Sequence, residues 1–231
     1  MKFFLLACLW LAFSAPAQPP AVMESVQAND DIPLNTNPDT PFWHEARPIF
    51  AQSDPNGKTL SEYRTEIRSR WTKDNIYFLF VCPYRQLYLK PQPDVANETY
   101  ELWKWNVAEV FIGTDFQDIR RYKEFEVSPQ NEWIDLDIDL RKPHHEQGWT
   151  WNSGFRHVTR IDKSKHIWYA AVEIPLAALS ARAAQPETRF RVNFYRTEGP
   201  PQNSTEIMWQ PVMSNTFHVP ERFGWLQLVA R

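Results

Sequence analysis

Three features of the chain predict an all-β protein, an antiparallel, jelly-roll-like β-sandwich with one short helix near 176–184. Apolar and polar residues alternate in many short segments, turn clusters separate those segments, and a single stretch has helical character. In "TEIRSRW", Ile67, Ser69 and Trp71 alternate with Glu66, Arg68 and Arg70, and "TKDN" then turns the chain into "IYFLFVC", which reads as a hairpin. "KEFEVSP" places Phe125 and Val127 on one face and Glu124 and Glu126 on the other. "WIDLDIDL" opposes Ile134, Leu136, Ile138 and Leu140 to Asp135, Asp137 and Asp139, so both segments predict half-buried antiparallel strands. "FRHVTRI", the turn "DKSK" and "HIWYAAVEIP" form a second predicted hairpin. Pro175 followed by "LAALSARAA" is the helix, and "RFRVNFYR" and "GWLQLVA" complete the strands.

The length of 231 residues fits one sandwich domain, predicted over 42–231, and 43% hydrophobic residues with 11 Trp supply its core. Basic and acidic residues number 25 and 28, and no Lys/Arg stripe follows a phosphate backbone, so nucleic acid is not an expected partner. Lys2, the apolar run "FFLLACLWLAF" and "APA" at 15–17 predict a signal peptide over 1–17 and a secreted or periplasmic product. The apolar run continues past Cys8, which speaks against lipoprotein anchoring there, and no segment is long enough for a membrane span. Removal of Cys8 leaves Cys82 as the one cysteine, so packing or a bound metal must stabilise the fold. Residues 18–41, rich in Pro, Asn, Asp and Ala, read as an N-terminal leader or edge segment.

Taken in order, "DTPFWHEA", "RSRWTKDNIYFLFVC", "WKWNVAEVFIG", "YKEFEVSPQNEWID", "WYAAVEIPLAAL", "RFRVNFYRTEG" and "FHVPERFGWLQL" resemble the carbohydrate-binding module family 9 domain across residues 42–229. Such domains occur attached to xylanases and in stand-alone exported bacterial proteins. The resemblance implies non-catalytic binding of a glycan or sugar chain end between two aromatic rings, ancillary to extracellular polysaccharide breakdown or uptake, with glycan-degrading enzymes as partners. It implies structural calcium but no required cofactor. By position the first ring is Trp103, and Phe217 occupies the site of a family Trp, with less ring area and no N–H donor. Glu126 and Ser128 stand where the family uses a basic residue and an Asn, and Asn106 replaces an Asp.

A pyranose has apolar C–H faces and a rim of hydroxyls, so its site needs rings for the faces and carboxylates or amides for the rim. Trp103, Glu109, Phe217 and Asn215 are groups of those kinds, and Trp105, Glu126 and Ser128 complete the carbohydrate-binding candidates. Each has a plainer reading. The two Trp residues serve core or rim packing equally well, and Glu109 has Arg196 as a salt-bridge partner on paper. Metal ligands are not identified: Asp135, Asp137 and Asp139 share a strand face suited to calcium or to solvent, and adjacent His144 and His145 point to opposite sides of an extended chain.

Three other functions stay open. The sandwich reads also as a scaffold or partner-binding domain that has lost sugar binding. A haem b electron-transfer module would draw on Met208, Met213, His157 and His218. A glycoside hydrolase would use Glu109, Glu124 and Glu126, although no catalytic constellation is evident, and no phosphate loop or nucleophile elbow occurs.

Overall fold

The structure is a computed structural model, and it describes residues 20–143, 149–180 and 184–231. The signal peptide, Cys8 and the His144–His145 pair lie outside the described residues. Twelve strands are found among those described: β1 (Val22–Gln27), β2 (Ile49–Ala51), β3 (Thr65–Trp71), β4 (Asn75–Pro83), β5 (Val107–Gly113), β6 (Arg121–Val127), β7 (Trp133–Asp139), β8 (Arg156–Asp162), β9 (Ile167–Pro175), β10 (Arg189–Glu198), β11 (Thr205–Met208) and β12 (Gly224–Val229). They run in the order β7-β6-β5-β10-β12-β1-β3-β4-β9-β8, with β11 added to β10 and β2 to β3.

This long path folds over so that its two halves face each other. Phe78 of β4 meets Phe194 of β10 edge to face, with ring centroids 5.3 Å apart. The core between the halves takes every second residue of the predicted strands, among them Ile67, Ile76, Phe80, Val110, Ile112, Phe125, Val127, Trp168, Val172 and Val192. Each such side chain stabilises the fold by about 1.5–3 kcal/mol on burial. Both predicted hairpins form, β3 with β4 (Trp71↔Ile76) and β8 with β9 (Asp162↔Ile167).

Three expectations are corrected. The segment 18–41 is not a leader at the edge: its β1 lies inside the sheet, parallel to β12 (Val22↔Trp225) and to β3 (Val26↔Arg70), so the sheet is mixed rather than wholly antiparallel. The inward positions of β1 are Met23 and Ser25, and the Ser25 hydroxyl pairs with that of Ser69 at 2.8 Å. A buried Ser breaks the apolar alternation that marks a strand in sequence.

The helix near 176–184 is one turn, α2 (Leu176–Leu179), which buries Leu176 and Leu179; Ser180 is already extended at φ −150°, ψ 141°, and 181–183 lie outside the described residues. A further one-turn helix, α1 (Pro41–His44), buries Trp43 beside Tyr77 and Leu79.

The third correction concerns β6 and β7, which are not half-buried but lie beside the wholly buried β5. Every residue of β5 is buried, as are Glu124 to Val127 of β6. Their outer face carries a second apolar cluster that includes Leu102, Val107, Phe111, Tyr122, Leu136, Trp149, Tyr195 and Phe223. The segments around Leu102 and between β11 and β12 fold across the sheet and cover it.

Candidate functional site

Val107, Glu109 and Phe111 share the outer face of β5. In register, Glu109 stands opposite Tyr195 of β10 on one side and Glu126 of β6 on the other, while Phe111 stands opposite Glu124. Directly opposed residues have Cβ atoms about 4.5–5.5 Å apart, so the strand pairing itself brings the three glutamates together. One oxygen of each lies within 4.8 Å of the other two.

A cleft of about 320 Å³ opens over Glu109 and Glu124. Its wall comes from three further segments. Trp103 sits on the single helical turn Leu102–Lys104, anchored by buried Leu102 and entered through Glu101 at φ +60°. Asn106 fixes the end of that turn by accepting the Tyr88 backbone N–H and donating to the Thr197 carbonyl at 3.0 Å. Asn215, Phe217 and His218 come from the loop before β12, and Thr197 and Glu206 from β10 and β11.

Phe217 lies flat on Tyr195, with centroids 4.5 Å apart and planes 7° from parallel, and the Tyr195 hydroxyl donates to the Phe217 carbonyl at 3.0 Å. One face of the Phe217 ring is therefore taken. His218 stacks on Phe111 at 5.4 Å, and its Nδ1 meets the Tyr122 hydroxyl at 2.6 Å.

The floor is acidic. Burial, then the charges of Glu124 and Glu206, push Glu109 well above the usual carboxylate range. Burial raises Glu124 to about 7, and burial with the charges of Glu109 and Glu124 raises Glu126 well above its ordinary value. Glu206 is raised by burial as well. Arg196, the partner open to Glu109 on paper, points to the opposite face: it stands opposite Ala108 and bonds Glu198 and the Thr65 hydroxyl. It does not neutralise the floor.

Of the residues singled out in the sequence, Trp103, Glu109, Asn215 and Phe217 border one cleft, with both rings half-buried. Trp105 is half-buried but does not border it. Glu126 lies behind Glu109 and Glu124 rather than in the wall. Ser128 is a turn residue: its hydroxyl donates to Glu132 at 2.9 Å and accepts the backbone N–H groups of Gln130 and Glu132. Tyr195, Glu206 and His218 were not singled out as sugar contacts. The pairing of Thr197 with Glu206 across β10 and β11 brings Glu206 in, and no short-range pattern announces that contact.

The three aspartates of β7 answer to separate partners. Asp135 accepts from Ser153, Asp137 pairs with Lys123 at 2.7 Å, and Asp139 pairs with Arg141 at 2.7 Å. Among the described residues, the convergent acidic group is Glu109, Glu124 and Glu126 instead. The haem candidates also occupy separate surroundings. Met208 is sealed in the second cluster and Met213 is exposed, while His157 packs on Trp133 and Asn131, and His218 lines the cleft.

Comparison with known proteins agrees with this architecture. A solved carbohydrate binding module family 9 from Caldicellulosiruptor kristjanssonii in complex with cellotriose superposes with a TM-score of 0.66 at 12% identity, covering 91% of this chain and 95% of that one. A protein from Bacteroides uniformis reaches 0.70 at 14% identity, covering 90% and 99%. A protein of Arthroderma benhamiae described as an extracellular protein is 26% identical over 180 residues, 73% of this chain and 72% of that one. The model of the carbohydrate family 9 binding domain-like family matches residues 37–231, and the chain belongs to that family.

Proposed function

We propose that this protein is an exported, non-catalytic carbohydrate-binding domain that holds a sugar in the cleft between Trp103 and Phe217. The observation that carries the reading is the convergence of two half-buried aromatic rings, a carboxylate and an amide, drawn from distant parts of the chain, on one cleft of about 320 Å³. Rings serve the C–H faces of a pyranose, and Glu109 and Asn215 serve its hydroxyls. A family model covering residues 37–231 supports the reading, as do related folds solved with cellotriose and with glucose. The extracellular description of the Arthroderma relative and the N-terminal "FFLLACLWLAF" support export. Binding of this size falls on the order of millimolar to micromolar. Its biological setting is capture of glycans beside enzymes that degrade them, or ahead of their uptake.

A glycan array followed by calorimetric titration of the strongest hit tests this. Saturable binding that weakens at least fivefold in Glu109→Gln supports it. A second reading, a scaffold without sugar binding, draws on the occupied face of Phe217 and the crowding of acids beneath the cleft. A folded protein that binds nothing on the array selects that reading, and release of sugar from any glycan would show a hydrolase.

A further inference from the structure

The three glutamates beneath the cleft pose a problem that sugar binding does not solve. Glu109, Glu124 and Glu126 are 1%, 3% and 0% exposed. Oε1 of Glu109, Oε2 of Glu124 and both oxygens of Glu126 receive no hydrogen bond. Glu126 is thus a fully buried carboxyl that no N–H or hydroxyl group reaches; its hydrogen-bonding neighbour is the Glu124 carboxyl, and it is aimed at Glu109 as well. Burying three carboxyls against one another is costly unless protons or a positive charge answer them.

The neighbouring positions on the sheet and the nearby Lys and Arg side chains do not. The neighbouring positions on the same face are Val107 and Phe111 on β5, Ile134 and Leu136 on β7, and Asn193, Tyr195 and Thr197 on β10. Asn193 donates to the Tyr195 hydroxyl, which donates to Phe217. Lys104 at the cleft wall pairs with Glu101 at 2.6 Å, and Lys123 and Arg196 serve Asp137 and Glu198 on the opposite face.

We infer that Glu109, Glu124 and Glu126 bind a divalent cation, best calcium, at the floor of the cleft. Two oxygens on one calcium ion, each about 2.3–2.6 Å from it, lie at most about 5 Å apart. The three glutamate oxygens, all within 4.8 Å of one another, meet that limit. An ion is favoured over the ammonium group of an amino sugar because Glu126 does not border the cleft: a sugar amine reaches Glu109 and Glu124, whereas a bare ion reaches all three. Waters or a sugar hydroxyl entering from the cleft complete its coordination.

The test uses the mature protein stripped with chelator and contains no sugar, so its outcome is independent of glycan binding. Calcium is titrated by calorimetry, with terbium luminescence sensitised by Trp as a second readout on the unaltered protein. The expected result is one saturable site, displaced from terbium by calcium, weakened at least tenfold in Glu126→Gln and in Glu109→Gln, and unchanged in Asp137→Asn on the other face. Should one glutamine variant fail to fold, the other decides. Absence of calcium binding in the stripped protein overturns the inference, as does binding that survives both glutamine changes or that disappears in Asp137→Asn.

Discussion

Phe217 and Tyr195 form a parallel ring pair, 4.5 Å between centroids, tied by the bond from the Tyr195 hydroxyl to the Phe217 carbonyl. Tyr195 in turn rises from β10 directly opposite Glu109, so the loop end of the cleft is built on the same rung as its acid. Only the free face of Phe217 is available to a ligand. Phe217→Ala should weaken glycan binding by about 1–2 kcal/mol, roughly five- to thirtyfold, with little loss of fold stability. Tyr195→Phe should weaken it less, by releasing the loop carbonyl. Calorimetry and thermal melting of both variants check the split.

His157 makes stability depend on pH. Burial lowers its pKa from 6.5 to about 4, so between those values the unfolded chain binds a proton that the folded one does not. The contribution is complete above pH 6.5 and is lost as the pH falls toward 4, with a ceiling of about 3 kcal/mol. Urea unfolding from pH 7 to 4 should lose part of this slope in His157→Gln. An unchanged slope would mean that other groups carry it.

Cys82 is fully buried and its thiol is pushed up to about 12 by burial. A thiol reagent at pH 8 should leave it untouched in the folded protein and label it in denaturant. Rapid labelling of the native state would show that the core beside Trp168 and Phe80 opens.

Gly224 admits no side chain: a Cβ there would lie 2.5 Å from the Trp209 ring and 2.8 Å from the Ala21 carbonyl. Gly224→Ala should destabilise by about 1–3 kcal/mol, read as a lower melting temperature, because the ring and the start of β1 must both shift.

A chain beginning at Phe42 should not give a stable monomer. It would lack β1, leaving the facing edges of β12 and β3 unpaired and Met23 absent from the core. Size-exclusion chromatography and circular dichroism of that truncation check this.

That last case marks where the sequence stops being readable. Strands β3, β6 and β10 follow the alternation of apolar residues because one face of each meets the central core, and β7 follows it because Ile134, Leu136 and Ile138 build the second cluster. β1 has a buried Ser where the pattern needs an apolar residue. The second cluster was hidden for the opposite reason: its strand positions include Glu109, Glu124 and Glu126, which read as a solvent face until the loops bearing Leu102 and Phe217 close over them. Trp103, Glu109, Asn215 and Phe217 were legible through ring and acid chemistry together with family resemblance. Glu206 and Tyr195 enter through cross-strand register, which depends on pairings far apart in the chain.

The structure also separates two tryptophans that the sequence leaves nearly equivalent, Trp103 in the cleft wall and Trp105 outside it. The most direct measurement is calorimetric titration of the strongest glycan from the array into Trp103→Ala and Trp105→Ala. Binding at least tenfold weaker in Trp103→Ala and close to unaltered in Trp105→Ala is the predicted result. Full affinity in Trp103→Ala, or its loss only in Trp105→Ala, would contradict a saccharide seated between Trp103 and Phe217.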